Sequence, residues 1–231
     1  MIPKIIHYCW FGRNPLPESA KKCIDSWRKF FPDYEIKEWN EDNFDVNIIP
    51  YTAEAYAAKK YAFVSDYARF WILYHYGGIY FDTDVEVIKD MSPIINSGPF
   101  MGRELADATV NPGLGLGAET HMDVYQLILK NFEGMEFWAE EGVQNKYTMI
   151  PMVSELLRGN GFVANGDVQD IMGMKIYPQD YFNPLDDATG KLRLTDNTYS
   201  IHWFMASWQK PQPAIIKKAK QYVRRLIKIF R

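Results

Sequence analysis

The sequence is poor in cysteine and has no long apolar run, and both absences limit what the chain can be. Its two cysteines, Cys9 and Cys23, are too few for a disulfide framework and too far apart for a CxxC motif. No apolar run approaches the roughly 20 residues that span a bilayer, and the N-terminal residues lack the h-region of a signal peptide. We therefore expect a protein of the reducing cytoplasm, at most held as a peripheral protein on the inner face of the cytoplasmic membrane.

Basic side chains are scarce over most of the chain. The sequence has 26 Lys and Arg against 29 Asp and Glu, but eight of the basic residues and none of the acidic ones fall in residues 209–231. The remainder is therefore acidic, which argues against a partner that is nucleic acid. Apolar residues make up 47% of the sequence and charged residues 24%, a balance that supports a buried core and excludes disorder.

Hydrophobic periodicity predicts an α/β domain. A strand at 4–10, a helix at 17–31 and a strand at 34–39 form a start that favours an open α/β sheet. Later segments continue the pattern, with helices at 53–60, 63–76, 122–132 and 147–158 and strands at 79–81, 85–88, 174–178 and 199–203. We predict that the strand at 85–88 extends the one at 79–81. Residues 1–208 are assigned to one domain and residues 209–231 to an appended helix.

Asp82-Thr83-Asp84 directly follows the apolar strand at 79–81. A DxD pattern alone carries little weight, because 16 Asp in 231 residues yield about one by chance. Its position adds weight, since alternate residues of an extended segment project to one side and open α/β sheets bind ligands at the carboxyl ends of strands. Two hard anionic ligands there suit Mg²⁺ or Mn²⁺. A solvated turn whose Asp side chains cap backbone amides is the alternative.

Asp66 and Arg69 form a second charged pair, within the aromatic helix at 63–76. They lie three residues apart and therefore share one helical face. An intrahelical ion pair, or a favourable position of Asp66 near the helix N-terminus, explains them structurally. The functional interpretation assigns both side chains to the hydroxyl or phosphate oxygens of a bound ligand, and a charged pair in so aromatic a helix favours it.

Residues 111–118 (NPGLGLGA) are rich in glycine. Their spacing is not GxGxxG and no Lys-Ser or Lys-Thr follows, so they do not indicate a phosphate-binding loop. The glycines would let the backbone approach a sugar, with Asn111 binding a hydroxyl. A plain loop fits the same residues.

Three segments together resemble a known enzyme family. Residues 2–7 (IPKIIH) with Trp10, residues 65–69 (SDYAR) and residues 77–84 (GGIYFDTD) resemble the DxD-containing glycosyltransferases of family 32. That family includes yeast-type mannosyltransferases and bacterial capsular-polysaccharide enzymes, and its core is similar to the glucosyltransferase domain of large clostridial toxins. The resemblance is clear over residues 2–90 and returns at 202–208 (HWFMASW). The combined pattern is far more specific than DxD alone.

The resemblance implies a GT-A fold over residues 1–208, that is, a single domain with a Rossmann-like open mixed sheet flanked by helices. It also implies Mn²⁺ or Mg²⁺ and a nucleotide-diphospho-sugar donor, for which we expect a UDP-hexose rather than GDP-mannose. The expected reaction transfers a hexose, with retention of anomeric configuration, to a saccharide or lipid-linked saccharide acceptor. Synthesis of a surface polysaccharide such as a capsule is the expected setting.

The donor-binding residues follow from the same resemblance. Trp10 is expected to stack on the nucleobase, and Asp66 and Arg69 to bind ribose or sugar hydroxyls of the nucleotide-sugar. Ser207 and Trp208 are expected to approach the leaving diphosphate, with Trp208 closing a lid over it.

The metal ligands follow from the resemblance as well. Asp84 is expected to bind the cation directly, and Asp82 to lie beside the cation and contact the sugar-nucleotide. With Asp66 and Arg69 they are the expected catalytic residues. His202 is expected as a third metal ligand, since imidazole suits Mn²⁺, although a buried His closing a strand fits the same position.

Two other functions fit parts of the sequence. A catalytically inactive protein that binds sugar-nucleotides is one, but the combination of Asp66, Arg69, Asp82 and Asp84 argues against it. A phosphohydrolase of the haloacid-dehalogenase type also begins with DxD after an apolar strand. It expects Thr or Val two residues after the second Asp, where this sequence has Glu86.

Residues 209–231 combine apolar and basic side chains at helical spacing. Apolar positions from 215 to 230 fall on one side and the cations on the other. This pattern predicts a basic amphipathic helix suited to an anionic membrane surface. A helix packed on its own domain with a solvated basic face is the alternative.

Overall fold

A computed structural model describes residues 1–104, 109–140 and 142–205, and a seven-stranded sheet forms its centre. The strands are β1 Ile5–Cys9, β2 Glu35–Trp39, β3 Gly78–Tyr80, β4 Val85–Val87, β5 Phe100–Gly102, β6 Leu116–Ala118, β7 Trp138–Glu140, β8 Val143–Gln144, β9 Gln169–Ile171, β10 Met174–Tyr177, β11 Leu185–Asp186, β12 Lys191–Leu192 and β13 Ser200–His202. The helices are α1 Glu18–Phe30, α2 Pro50–Ala57, α3 Tyr61–Tyr76, α4 Ser92–Ile95, α5 Asp123–Glu133, α6 Met149–Gly159 and α7 Gln179–Phe182.

The central sheet is open and mixed. Its strand order is β2-β1-β3-β6-β5-β10-β9. Strand β1 pairs in parallel with β2 and β3, and β5 pairs in parallel with β10, whereas β6 and β9 pair antiparallel to their neighbours. Because β6 is antiparallel to both β3 and β5, these two strands point the same way. Five strands therefore end at one edge of the sheet.

Helices cover both faces of this sheet. Successive residues of β3 enter different hydrophobic clusters: Ile79 packs in the cluster that contains Trp27 of α1, and Tyr80 in the one that contains Phe70 of α3. Since neighbouring side chains of a strand point to opposite faces, the clusters lie on the two sides of the sheet. The α/β architecture with an open mixed sheet flanked by helices is thereby confirmed.

A glycine pair joins α3 to β3. Gly77 and Gly78 have positive φ angles of 61° and 96°, a backbone region that glycine enters without steric cost. A Cβ at Gly78 would lie 2.6 Å from the carbonyl oxygen of Ile5. The pair therefore lets the chain leave the helix and enter the sheet directly beside β1, which places the end of β3 next to the end of β1.

The segment after β3 differs from its prediction. Residues 85–88 do not extend the strand, because the backbone N–H of Val85 donates to the carbonyl oxygen of Asp82 at 3.0 Å and closes a turn. Strand β4 then leaves the central sheet and pairs antiparallel with β13. Asp82-Thr83-Asp84 therefore lies at a turn between two sheets and not along one extended strand.

The structure bears on membrane-spanning helices but does not describe the C-terminal tail. Among the described residues, no helix combines the length and apolar character that a membrane span requires. The basic amphipathic helix predicted at 209–231 lies outside the described residues, and so do Ser207 and Trp208.

Candidate functional site

The candidate site lies at the edge where the parallel strands end. Strand β1 leads into Trp10, β3 into Asp82, and β5 into Arg103 and Glu104. Strand β6 is antiparallel to β3 and β5, so it begins at the edge where they end. The segment that leads into β6 starts at Asn111. The carboxyl ends of strands in open α/β sheets are the usual place for ligands. The topology thus collects polar side chains from distant parts of the sequence.

Asp82, Asp84 and His202 form the centre of the site. One ligand atom from each lies within 4.8 Å of the others. The antiparallel pairing of β4 with β13 sets His202 opposite Val85, next to Asp84, and His202 Nε2 is 3.2 Å from Asp84 Oδ1. Asp84 Oδ2 also accepts a hydrogen bond of 2.9 Å from the backbone N–H of Met205. Pairing between strands brings together residues that are far apart in sequence.

Arg69 supports Asp82 from helix α3. Its Nη2 lies 3.0 Å from Asp66 Oδ1 and 3.2 Å from Asp82 Oδ1, and its side chain is only 3% exposed. Its Nε donates to the carbonyl oxygen of Ser65 at 3.1 Å, and the Tyr80 hydroxyl donates to Asp82 Oδ1 at 3.0 Å. The intrahelical Asp66–Arg69 ion pair, the structural alternative to ligand binding, therefore exists, and it extends to Asp82. We call Asp66, Arg69 and Tyr80, together with the Asp82 carboxylate that Arg69 and Tyr80 hold, the α3 flank of the site.

Burial and mutual repulsion raise the pKa of two carboxyl groups. Burial, with a contribution from the charge of Asp82, raises the pKa of Asp66 to about 6, although Arg69 opposes the shift. Burial also raises the pKa of Asp82 and the charge of Asp84 adds to the shift, again against Arg69. The α3 flank holds one buried guanidinium against two carboxylates, so negative charge is in excess there.

Asp84 and His202 shift each other in opposite directions. Burial raises the pKa of Asp84, but His202 and the Met205 N–H outweigh burial and the net shift is downward. Burial lowers the pKa of His202, but the charges of Asp84, Asp82 and Glu104, in that order of size, turn the net shift upward. The imidazole therefore lies in a strongly negative environment.

This donor set fits a divalent cation. It offers two hard carboxylates and an imidazole, a combination that suits Mn²⁺ and, through its oxygens, Mg²⁺. His202 Nδ1 is buried and has no hydrogen-bond partner in the described part of the chain. Asp82 and Asp84 keep 28% and 16% of their side-chain surface exposed, so the centre opens to solvent on one side. A cation there would also offset the excess negative charge.

A second group of polar residues at this edge is held together by two amide side chains. Asn111 Oδ1 accepts from the backbone N–H of Gly113 at 2.8 Å, at the start of the 3₁₀ turn Pro112–Leu114, and Asn111 Nδ2 donates to Glu104 Oε2 at 3.2 Å. Asn183 Nδ2 donates to the carbonyl oxygen of Glu104 at 2.9 Å. We call Glu104, Asn111 and Asn183 the amide flank. The glycine-rich segment is therefore an ordered part of the site edge, whereas hydroxyl binding by Asn111 stays a prediction.

Gly113 lies between the two flanks. A Cβ at this position would lie 2.3 Å from Asp82 Oδ2, closer than any real contact. Only glycine lets the Asn111 segment approach Asp82 this closely.

Trp10 lies at the end of β1, partly exposed. Its backbone N–H donates to the carbonyl oxygen of Trp39 at 2.8 Å and its indole N–H to that of Asn14 at 2.6 Å. These bonds fix the ring beside the loop that follows β1. Stacking of this ring on a nucleobase stays a prediction.

Sequence reasoning missed several members of the site. The Tyr80 hydroxyl, the Met205 backbone N–H, Glu104 and Asn183 were not predicted. For Glu104 the signal is its position, two residues after β5, as Asp82 is two residues after β3. Asn183 carries no comparable signal, because its place depends on how β10 pairs with β5.

Comparison with known proteins gives a consistent picture. Residues 17–101 match the family model described as "Glycosyltransferase sugar-binding region containing DXD motif". The uncharacterized glycosyltransferase L373 of Acanthamoeba polyphaga mimivirus is 32% identical over 218 residues, which cover 90% of this chain and 84% of that protein.

Fungal relatives match a shorter part. Inositol phosphoceramide mannosyltransferase 3 of Schizosaccharomyces pombe is 32% identical over 135 residues, and the mannosyl phosphorylinositol ceramide synthase CSH1 of Saccharomyces cerevisiae is 30% identical over 123 residues. These matches cover 55% and 50% of this chain but only 36% and 31% of the two fungal proteins. The chain thus spans about a third of the length of these relatives.

Two solved structures share the fold. The PaToxG glycosyltransferase superposes with a TM-score of 0.51 at 22% identity and covers 68% of this chain and 69% of its own. A glycosyltransferase involved in the glycosylation of the major capsid of PBCV-1 gives a TM-score of 0.51 at 11% identity and covers 96% of this chain and 100% of its own. The expected GT-A fold is confirmed.

Proposed function

Because the chain belongs to the family of glycosyltransferases with a DXD sugar-binding region, we propose that it is a metal-dependent hexosyltransferase. Its donor is a nucleotide-diphospho-sugar and its acceptor a saccharide or a lipid-linked saccharide. The observation that carries the proposal is the convergence of Asp82, Asp84 and His202 at the carboxyl edge of the sheet. The GT-A fold leaves the phosphohydrolase alternative without support.

In this proposal Asp84 and His202 hold Mn²⁺ or Mg²⁺ directly, and Asp82 is shared between the cation and the sugar-nucleotide. When bound, the cation neutralises charge on the departing nucleoside diphosphate. The protein's own part is to fix the ligands in place: Met205 N–H holds one oxygen of Asp84, and Arg69 and Tyr80 hold Asp82 Oδ1. Ligands held in this way do not have to reorganise when the donor binds.

Asp66 and Arg69 complete the donor site in the proposal. Their buried network supports a positioning role toward Asp82, and contact with donor hydroxyls remains their proposed second role. We assign no side chain as nucleophile or general base. A front-face displacement, in which the phosphate of the donor assists the acceptor, needs neither and retains the anomeric configuration.

The donor sugar and base are separate parts of the proposal. The resemblance to toxin glucosyltransferase domains supports a UDP-hexose, with Trp10 stacked on the base. The names of the fungal relatives support mannose as the hexose, which makes GDP-mannose the second donor to test.

The acceptor and cellular setting are proposals of the same kind. The fungal names refer to a phosphoinositol-linked ceramide, which supports a lipid-linked acceptor here, with surface-polysaccharide synthesis as the setting. Peripheral docking of residues 209–231 on an anionic inner membrane face would bring the enzyme to such an acceptor. Deletion of residues 213–231 should then reduce binding to vesicles that contain anionic lipid, and unchanged binding would rule this docking out.

A donor panel tests the central proposal. UDP- and GDP-hexoses should be screened for Mn²⁺-dependent hydrolysis and transfer, with Asp84→Asn as the variant and Asp33→Asn, at an exposed position away from the site, as its matched control. We expect turnover of one donor class by the unmodified protein and the control, and a loss of about 100-fold or more for Asp84→Asn. If no donor is turned over, the result favours a catalytically inactive protein that binds sugar-nucleotides. Undiminished turnover in the presence of a chelator would refute the proposed metal dependence.

A further inference from the structure

The segment that follows β13 is anchored to Asp84 at two places. The backbone N–H of Trp203 donates to the carbonyl oxygen of Asp84 at 2.9 Å, and its indole N–H donates to Glu86 Oε2 at 2.8 Å. The backbone N–H of Met205 donates to Asp84 Oδ2 at 2.9 Å. Phe204 therefore lies between two residues that are both hydrogen-bonded to the segment carrying Asp84.

Phe204 has an uncommon backbone conformation. Its φ angle is 49°, in the left-handed region that residues other than glycine, asparagine and aspartate rarely enter. This conformation precedes the Met205 N–H that donates to Asp84 Oδ2. Glycine adopts the same conformation without steric cost. The backbone therefore does not account for a phenylalanine at this position, and its side chain has to.

The ring of Phe204 contacts the imidazole of His202. The two ring centroids are 4.2 Å apart and the ring planes meet at 67°, an edge-to-face arrangement. Aromatic pairs prefer this geometry because the positive edge of one ring meets the negative face of the other. His202 is only 8% exposed. The contact therefore restrains the plane of a buried imidazole.

A bound cation limits which contacts can hold His202. Its Nε2 is 3.2 Å from Asp84 Oδ1, and a hydrogen bond between these atoms needs a proton on Nε2. A metal ligand offers an unprotonated nitrogen, so this hydrogen bond is lost when Nε2 binds a cation. Metal-binding imidazoles ordinarily use their second nitrogen to fix their orientation, but Nδ1 has no hydrogen-bond partner in the described part of the chain. The contact with Phe204 uses neither nitrogen and is compatible with a bound cation.

From these contacts we infer that Phe204 is a positioning residue of the metal centre, whose ring holds the His202 imidazole in the orientation that binds the cation. The inference rests on the proposed function, because it requires a cation held by Asp82, Asp84 and His202. We assign Phe204 no contact with the cation or the donor. An imidazole that is already oriented binds the cation more tightly, since less ordering remains to be done on binding.

Titrations with Mn²⁺, followed by electron paramagnetic resonance with and without UDP or GDP, test this role. Phe204→Leu keeps an apolar side chain but removes the ring, and Phe204→Tyr keeps the ring. Phe30→Leu is the matched control, because it removes a partly buried ring at the end of α1. Melting temperatures check that the variants fold. Phe204→Gly replaces Phe204→Leu if the latter does not fold, since glycine fits this backbone conformation.

Nuclear magnetic resonance of the metal-free protein supplies a readout that does not depend on the cation. An aromatic ring shifts the resonances of protons close to it, so the imidazole protons of His202 report the contact with Phe204. His202→Gln identifies these resonances. We expect Phe204→Leu to move them and Phe204→Tyr and Phe30→Leu to leave them close to their positions in the unmodified protein.

We expect Phe204→Leu to weaken Mn²⁺ binding by about 10-fold or more, the loss typical of residues that orient a metal-binding histidine, and the other two variants to stay within about 2-fold of the unmodified protein. Unmoved imidazole resonances or unchanged Mn²⁺ affinity in Phe204→Leu would overturn the inference alone, and so would an equal loss of affinity in Phe204→Tyr. If the unmodified protein binds no Mn²⁺ with either nucleotide, the proposed metal dependence is overturned, and the inference with it.

Discussion

The two flanks of the site hold carboxylates by different means. On the α3 flank, Asp66 and Asp82 share the buried guanidinium of Arg69. On the amide flank, Glu104 is held by the neutral side chains of Asn111 and Asn183. The buried guanidinium fixes the geometry of both carboxylates, but its single charge offsets only part of theirs. On the amide flank, neutral hydrogen-bond donors fix both the backbone carbonyl and the carboxylate of Glu104. We therefore assign the first flank to positioning Asp82, while contact of Asn111 on the second flank with a sugar hydroxyl stays a prediction.

The largest expected effect comes from removing the positive charge of Arg69 on the α3 flank. Arg69→Met removes the buried guanidinium that Asp66 and Asp82 share, which should lower the free energy of unfolding by about 3–5 kcal/mol. Urea denaturation without divalent ions measures it.

Arg28→Met is the matched control, because Arg28 forms the same i,i+3 pair with Asp25 on the surface, where Arg28 is 62% exposed. Exposed pairs contribute at most about 1 kcal/mol. Similar losses for both variants would mean that the buried network does not support the site as described.

A pH-dependent effect follows from the excess negative charge of the α3 flank. The pKa of Asp66 is raised to about 6 in the folded protein, above its unfolded value, so the folded state binds this proton more tightly. Ionisation of Asp66 therefore costs stability as pH rises from about 4 to 6. Relative to the unmodified protein, Asp66→Asn should gain up to about 3 kcal/mol between pH 4 and pH 7.

Chemical denaturation across this pH range measures the difference. For Asp25→Asn, which changes the exposed pair with Arg28, the plot of unfolding free energy against pH should run parallel to that of the unmodified protein. A parallel curve for Asp66→Asn as well would show that Asp66 is ionised at no cost and that Arg69 compensates both carboxylates.

A smaller effect is expected at the contact between the flanks. Gly113→Ala places a Cβ against Asp82, whose other oxygen is held by Arg69 and Tyr80. We expect a loss of about 1–3 kcal/mol of stability from the strain and an Mn²⁺ affinity about 10-fold weaker. Gly166→Ala is the control, since nothing lies within 4 Å of a Cβ there. Unchanged Mn²⁺ affinity in Gly113→Ala would show that the amide flank does not affect metal binding at the centre.

Local periodicity was enough to predict the elements that carry the α3 flank. The helix predicted at 63–76 is Tyr61–Tyr76, and the strand predicted at 79–81 is Gly78–Tyr80, because each has a strongly apolar pattern. The helix predicted at 53–60 begins earlier, at Pro50, since proline favours the first turn of a helix. The turn at Asp82-Thr83-Asp84 was predicted wrongly as continuous strand, because apolar alternation resumes at Val85 after the chain has changed sheets.

The amide flank depends on long-range pairing and could not be predicted in this way. Glu104 reaches the site because β5 pairs with β6 and β10, and Asn183 because α7 follows β10. Neither pairing leaves a local mark in the sequence. His202 was placed with Asp82 and Asp84 by resemblance to a family, and the β4–β13 pairing gives the physical reason.

Mn²⁺ binding in the presence of a nucleoside diphosphate tests the central claim most directly. Titration of the unmodified protein, Asp84→Asn and Asp33→Asn with Mn²⁺, followed by electron paramagnetic resonance with and without UDP or GDP, gives the affinity of each. We predict that one of the two nucleotides tightens Mn²⁺ binding in the unmodified protein and in Asp33→Asn, and that Asp84→Asn loses this binding. Equal Mn²⁺ affinity in Asp84→Asn and the unmodified protein would contradict the assignment of the cation to Asp82, Asp84 and His202.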